Sequence, residues 1–287
     1  MKSLPGNPFE DEKLPKEMIE SLQNHYQLNK PLLEQYLTYL KNLSKGHLGP
    51  SYIYLDRNVE DIIWDGFPIS LLLGIQAIVI ALITGIFFGA LSAIYRGKLI
   101  DTITILFAVL CISIPGFLFA TFLQYLFGIK WHLLPIAQWN SFSHTILPSI
   151  ALAVTPMAFI ARLLRSKLIE VLQEDYIKAA YAKGFSKSYV MIFHALPNAI
   201  LPVVSYLGPV AAQIITGSFV IEKIFGIPGI GKWLTTSISN RDYTTTLGIT
   251  LFYSFILICL NYLVDVLYMY LDPRIQLTNK EKNARVH

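Results

Sequence analysis

The residues whose types and spacing could do chemistry form three small groups. Gly226-Ile227-Pro228-Gly229-Ile230-Gly231-Lys232 satisfies G-x4-G-K, the spacing with which backbone N–H groups and a lysine cradle a nucleotide's phosphates. A phosphate loop next needs Ser or Thr to ligate magnesium, and Trp233 stands there. The glycines and Pro228 read instead as a re-entrant turn lined by Phe225 and Trp233. The six histidines (25, 47, 132, 144, 194 and 287) have no metal-ligand spacing, and His194 reads as packed near a partner interface or bonded to a carbonyl. Cys111 and Cys259 lie inside apolar stretches, where cysteine acts as a small buried hydrophobe. Asp265 is the one acid inside an apolar span, the position at which a carboxylate marks a candidate functional site. It lies seven residues before Asp272, about 10 Å along a helix, so an ion pair or cap near the headgroups outweighs a substrate or proton site. Catalytic, cofactor and metal residues are absent from this reading, and the chain reads as no enzyme.

The elements that position these residues are set by composition. Apolar residues make up 54% of the 287 and charged residues 15%, against about 25% charged in a soluble domain. That balance excludes a disordered chain, a nucleic-acid binder and most soluble enzymes. A membrane-crossing helix needs about 20 apolar residues, and five stretches qualify: about 67–95, 102–129 with Pro115-Gly116 inside, 145–161, 199–221, and 247–271. The fold class is an all-α polytopic membrane protein in lipid. Twelve Lys and Arg fall in the short loops and tail on one side of these spans, against four on the other. By the positive-inside rule the C-terminus is cytoplasmic and residues 1–66 lie outside. The domains are then a periplasmic segment 1–66, a transmembrane domain 67–274 and a cytoplasmic tail 275–287.

Within 1–66, Pro5-Gly6-Asn7-Pro8 reads as a turn and Pro15–Tyr26 and Pro31–Leu43 as short helices. Leu32, Leu33, Tyr36, Leu37 and Leu40 share one face of the second, which predicts a small cap packed on the spans. The cytoplasmic loop 162–197 is the most informative stretch. Glu170–Lys183 is predicted helical, ended by Gly184; Ser186 is the candidate N-cap of a second helix, Lys187–Ala195, which Pro197 terminates. The small residues Ala179, Ala180 and Ala182 suit a helix seated in a groove of another protein, although a helix lying on lipid has the same pattern.

The spacing Ala179-Ala180-x3-Gly184-x11-Leu196-Pro197 resembles the EAA loop of ABC importer permeases, with Lys178 for the family's Glu and His194 for its Ile. The run Asp175-Tyr176-Ile177-Lys178-Ala179-Ala180-Tyr181-Ala182-Lys183-Gly184, followed by Phe185 and Ser186, is similar to the peptide-importer variant. Pro5-Gly6-Asn7-Pro8-Phe9, Gly46-His47-Leu48-Gly49-Pro50-Ser51, Glu222–Gly231, Arg241-Asp242-Tyr243 and Leu271-Asp272-Pro273-Arg274 extend the likeness over nearly the whole chain. The chain therefore resembles the B-type permease subunit of oligopeptide and dipeptide ABC importers.

This resemblance implies a type I ABC importer permease, forming half of a peptide path across the bacterial inner membrane. It implies a homologous C-type permease, two cytoplasmic ATPases that use ATP-Mg, and an extracytoplasmic substrate-binding protein as partners. Asp175, Tyr176, Ala179, Ala180, Ala182, Lys183, Gly184, Phe185, Ser186, Leu196 and Pro197 would couple to an ATPase, with Ala180 and Gly184 at closest approach. Phe225, Pro228, Gly229, Gly231 and Trp233 would lie in the pathway or an external loop. The family has six spans, the first ahead of the PGDPF turn, and the sequence here begins four residues before that turn, which reads as an absent first helix. Nickel or glutathione is the alternative cargo within this class. A secondary transporter or channel is the alternative from another class, but it would require more intramembrane polar groups than Asp265.

Overall fold

The computed structural model describes residue 20 and residues 30–271, apart from 52, 55 and 216–218. The Pro5–Pro8 turn, the predicted helix over Pro15–Tyr26 (Glu20 apart) and the tail from Asp272 fall outside the described residues. Among the described residues the regular elements are helices, with one isolated bridge between Pro50 and Asn58.

Helix α1, Leu32–Leu43, forms as predicted, but Leu32, Leu33, Tyr36 and Leu37 are each more than half exposed. The expected packing of this face on the spans is thus corrected: the apolar stripe is present and uncovered by described residues. Helix α2, Val59–Ile94, starts eight residues earlier than hydropathy places it. Local capping explains this, since the Asn58 N–H donates to the Asp61 carboxylate at 3.2 Å, half of a capping box. At 36 residues α2 is about 54 Å long and extends past any hydrocarbon core.

The second predicted span is broken. Helix α3, Leu99–Ser113, and helix α4, Gly116–Leu123, which runs on as a wide π turn to Lys130, meet at 105°. Pro115 cannot donate into a helix, and it forces Ile114 into extended backbone at φ −84°, ψ 122°. Helix α5, Ser143–Val171, tolerates Pro148 and Pro156 and continues ten residues past its predicted end. Arg162, Arg165 and Lys167 are therefore helical residues rather than loop residues.

Helices α6, Asp175–Ala182, and α7, Lys187–Val190, follow; a π turn, Met191–Ala195, then leads into α8, Leu196–Ala199. Helix α9, Leu201–Ile215, bends by 51° from that segment. Helix α10, Phe219–Phe225, and helix α11, Ile230–Ser239, are short, and α12, Tyr243–Leu271, is long and largely exposed. Of the predicted span 199–221, α9 covers Leu201–Ile215, and residues 219–221 belong to α10. Among the described residues three helices are long and apolar enough to cross a membrane, or up to five spans if each bent pair counts as one.

The core lies between α2 and α5. Ala77, Ala81, Gly85, Gly89 and Ala93 recur every fourth residue on α2, all buried. Lipid supplies no hydrophobic drive between helices, so such small residues work by letting backbones touch. A Cβ on Gly89 would sit 2.7 Å from the Ala161 carbonyl oxygen of α5. Ile160, Leu164 and Leu168 of α5 continue this core into Ile177, Ala180, Val190, Ala195 and Ala199 of the segment from α6 to α8. The base of α5 and the predicted coupling residues therefore share one apolar cluster.

Candidate functional site

The segment from α6 to α8 is folded by its own capping chemistry. Gly184 ends α6 at φ +85°, the left-handed region that favours glycine. Its N–H donates to the Tyr181 carbonyl at 2.9 Å and the Phe185 N–H to the Ala180 carbonyl at 3.3 Å, the paired bonds of a Schellman turn. Ser186 caps α7 as predicted, its hydroxyl accepting from the Tyr189 N–H at 3.3 Å. Pro197 does not terminate a helix. It occupies the first turn of α8, where a missing N–H costs nothing, and the π turn before it absorbs the change in winding.

The helix has two faces. Ile177 and Ala180 point into the core, at 0% and 6% exposure. The expectation that Ala180 makes the closest approach to a partner is therefore corrected: three residues after Ile177, it shares the inward face. Asp175, Tyr176, Ala179, Ala182, Lys183, Gly184, Phe185 and Ser186 lie on the exposed side, with Pro197 exposed and Leu196 half-buried. Lys178 pairs with Asp175 at 2.8 Å and holds that carboxyl below the usual carboxylate range, although at full exposure such a pair adds little stability. Phe185 stacks on Tyr189 at 4.9 Å and Tyr189 meets Phe193 at 4.8 Å, an aromatic row left open on the surface. The His194 ring packs against both Phe185 and Tyr189. Asn198 ties α8 to α6 by donating to the Tyr176 hydroxyl at 3.2 Å and to the His194 carbonyl at 2.9 Å.

At the opposite end, the turn between α10 and α11 is organised by a carboxylate that sequence reasoning passed over. Glu222 is 2% exposed and accepts from Ser70 of α2 at 2.7 Å and from the Lys232 N–H at 3.0 Å. The Ile230 N–H donates to the Ser70 hydroxyl at 3.0 Å. A Cβ on Gly229 would fall 2.5 Å from the Glu222 carboxyl carbon, and one on Gly231 2.9 Å from its Oε2. Gly229 and Gly231 thus make room for a protein carboxylate, which already occupies the place a phosphate would take. Phe225 is buried, Pro228 exposed, and Trp233 meets Tyr54 edge-on at 5.2 Å.

Two further buried acids join distant segments. Asp242 accepts from the Ser51 hydroxyl, from Thr244 at 3.0 Å and from Thr245 at 2.8 Å, pinning the segment before α2 to the start of α12. Asp101 takes a bidentate pair from Arg165 at 2.6 and 2.8 Å, with Ser92 and the Gly97 N–H also donating. Asp265, by contrast, is exposed on α12 and pairs with no side chain among the described residues.

Residues 85–277 match the family described as the binding-protein-dependent transport system inner membrane component. The chain belongs to this family. It is 48% identical over 281 residues to the dipeptide transport system permease protein DppB of Bacillus subtilis, covering 98% of this chain and 91% of that protein. It is 40% identical over 279 residues to the oligopeptide transport system permease protein OppB of Escherichia coli K12, covering 96% and 91%. Among solved structures it is similar to an amino acid ABC transporter (TM-score 0.56, 18% identity, 73% of this chain and 94% of that one). The inward-facing MetNI methionine ABC transporter gives the same TM-score at 16% identity, covering 75% and 96%. These two show the fold, that of a type I importer permease. As an inner membrane component of a binding-protein-dependent system, the chain is a multi-pass membrane protein that works beside ATPase and substrate-binding partners.

Proposed function

We propose that the chain is the permease subunit of a peptide ABC importer and forms half of its transmembrane path. The observation that carries this reading is the two-faced coupling segment: one face is fused to the α5 core, and the other is an exposed run of small and aromatic residues. The relatives named as dipeptide and oligopeptide permeases support a peptide cargo. A homologous permease would complete the path, and one of two cytoplasmic ATPases would seat the exposed face of α6 and α7. A substrate-binding protein would deliver peptide to the external side. Because Ile177 and Ala180 share a cluster with Leu164 and Leu168, pulling α6 toward the partner half tilts α5 with it. ATP binding would in this way open the cavity outward, and hydrolysis would return it. Uptake of dipeptide by the reconstituted complex, dependent on ATP and on the binding protein, tests this reading; a complex that imports no peptide would overturn it.

Two expected outcomes bear on this arrangement. In Gly184→Trp the added Cβ meets open space, so insertion should be unchanged. At φ +85° a side chain costs about 1–2 kcal/mol, and the Schellman turn that aims Phe185 is lost. Peptide uptake should fall at least tenfold at normal membrane levels, and wild-type uptake with wild-type ATPase binding would sink the coupling role. For topology, residues 1–66 are expected outside and 162–197 inside. With Cys111 and Cys259 replaced, a cysteine at the exposed Ser44 should react with an impermeant thiol reagent on intact cells, whereas one at the exposed Ser186 should not. The reverse pattern would invert the orientation.

A further inference from the structure

A cavity of about 350 Å³ opens where α4, α5, α9 and α10 converge. Its lining includes Gly116 at the start of α4, Leu152, Thr155 and Pro156 of α5, and Tyr206 and Gln213 of α9. That volume is at the small end of ligand pockets, about 300–1,000 Å³. Among the described residues no Asp, Glu, Lys, Arg or His lines it. Thr155 lies twelve residues into the 29-residue α5, about 18 Å from its start, so the cavity is close to mid-depth in the membrane.

The backbone around this cavity is broken at two places. Helix α4 starts there after the 105° bend; the Pro115 carbonyl takes the Leu118 and Phe119 N–H groups at 2.9 and 3.3 Å, and the Gly116 and Phe117 N–H groups, the first of the helix, have no partner within it. Pro156 removes the N–H that would pair with the Leu152 carbonyl, and both residues line the cavity. Non-helical backbone at membrane depth survives only where it is buried in protein or lines a wet cavity. A lipid tail would satisfy neither these groups nor the Thr155 and Tyr206 hydroxyls.

We infer that this cavity is the subunit's peptide-passing site and that it holds peptide by the main chain. Donors at the α4 start and acceptors such as the Leu152 carbonyl match the alternating C=O and N–H of an extended peptide. With no charge in the lining, neither peptide termini nor side-chain charge is selected there. This inference rests on the peptide-importer reading above.

The test uses the assembled importer in proteoliposomes with its binding protein, and three probes: alanyl-alanine, lysyl-alanine and glutamyl-alanine. Thr155→Trp, which fills the cavity, should lower uptake of all three at least tenfold, while ATPase stimulation by the binding protein stays within twofold. Thr155→Ser should retain wild-type uptake. With Cys111 and Cys259 replaced, Thr155→Cys should react with a hydrophilic thiol reagent in the assembled complex. Wild-type uptake in Thr155→Trp, or an unreactive Thr155→Cys, would overturn the site, the latter meaning that partner or lipid fills the cavity. Loss of one dipeptide alone would overturn main-chain recognition. Failure of the wild-type complex to import any of the three would instead strike the peptide reading, and the cysteine reactivity still decides whether the cavity is a wet path.

Discussion

Gly89→Leu should prevent the subunit from accumulating as a folded membrane protein. The Cβ alone would lie 2.7 Å from the Ala161 carbonyl oxygen and 3.1 Å from both the Ala161 Cα and the Leu164 Cβ. The two Ala161 atoms are backbone, so no rotamer change relieves the contact; α2 and α5 must move apart. Separation also loosens Ala77, Ala81, Gly85 and Ala93, which lie on the same buried line. Overpacking typically costs about 1–3 kcal/mol, and a leucine against backbone belongs at the top of that range. Gly89→Ala should show a smaller loss. Gly116→Ala is the control, since a Cβ there meets nothing within 4 Å. Thermal unfolding in detergent and the yield of monodisperse protein read the effect. Wild-type values for Gly89→Leu would mean that α2 and α5 do not bear on each other as closely as their backbones indicate.

The spans were legible because lipid demands long uncharged stretches, and 67–95 and 102–129 contain no Asp, Glu, Lys or Arg. Their ends were not. Hydropathy stops at Phe67 because Glu60, Asp61 and Asp65 precede it, yet α2 begins at Val59, where capping chemistry rather than apolarity decides. Pro115 signalled a break through its effect on Ile114, but nothing in the sequence sets the 105° angle. The segment from α6 to α8, proposed for coupling, was readable at Gly184 and Ser186, whose roles are local. The inward turn of Ala180 was not read, although Ile177 three residues earlier marked the buried face. The three buried acids stayed hidden for a different reason. Glu222 meets Ser70 152 positions away, Asp242 meets Ser51 at 191, and Asp101 meets Arg165 at 64. Ser51 and Asp242 stood out only as parts of separate motifs, and the fold makes them one contact.

Asp101→Ala should destabilise the subunit, and a second substitution at Arg165 should restore most of the loss. The Asp101 side chain is 5% exposed and that of Arg165 25%, and their fork is bidentate. The pair joins the C-terminal end of α2 through Ser92, the first turn of α3, and α5 six residues before its last residue, Val171. Removing the carboxylate strands a guanidinium that reaches water only in part. Breaking a buried pair costs about 3–5 kcal/mol, and Arg165's partial exposure puts this case near about 3. The pair itself is no proof of large net stabilisation, because both charges lost hydration on burial. For that reason Asp101→Leu with Arg165→Met, apolar on both sides, should recover most of the single variant's loss. A double-mutant cycle on unfolding in detergent isolates the coupling. Uptake adds a second reading: because α5 leads directly into the segment proposed for coupling, the stable double variant should still bind ATPase yet transport less per ATP hydrolysed. An Asp101→Ala protein as stable as wild type would show that Arg165 turns to solvent without cost, and that the three helix ends are held together by apolar contact alone.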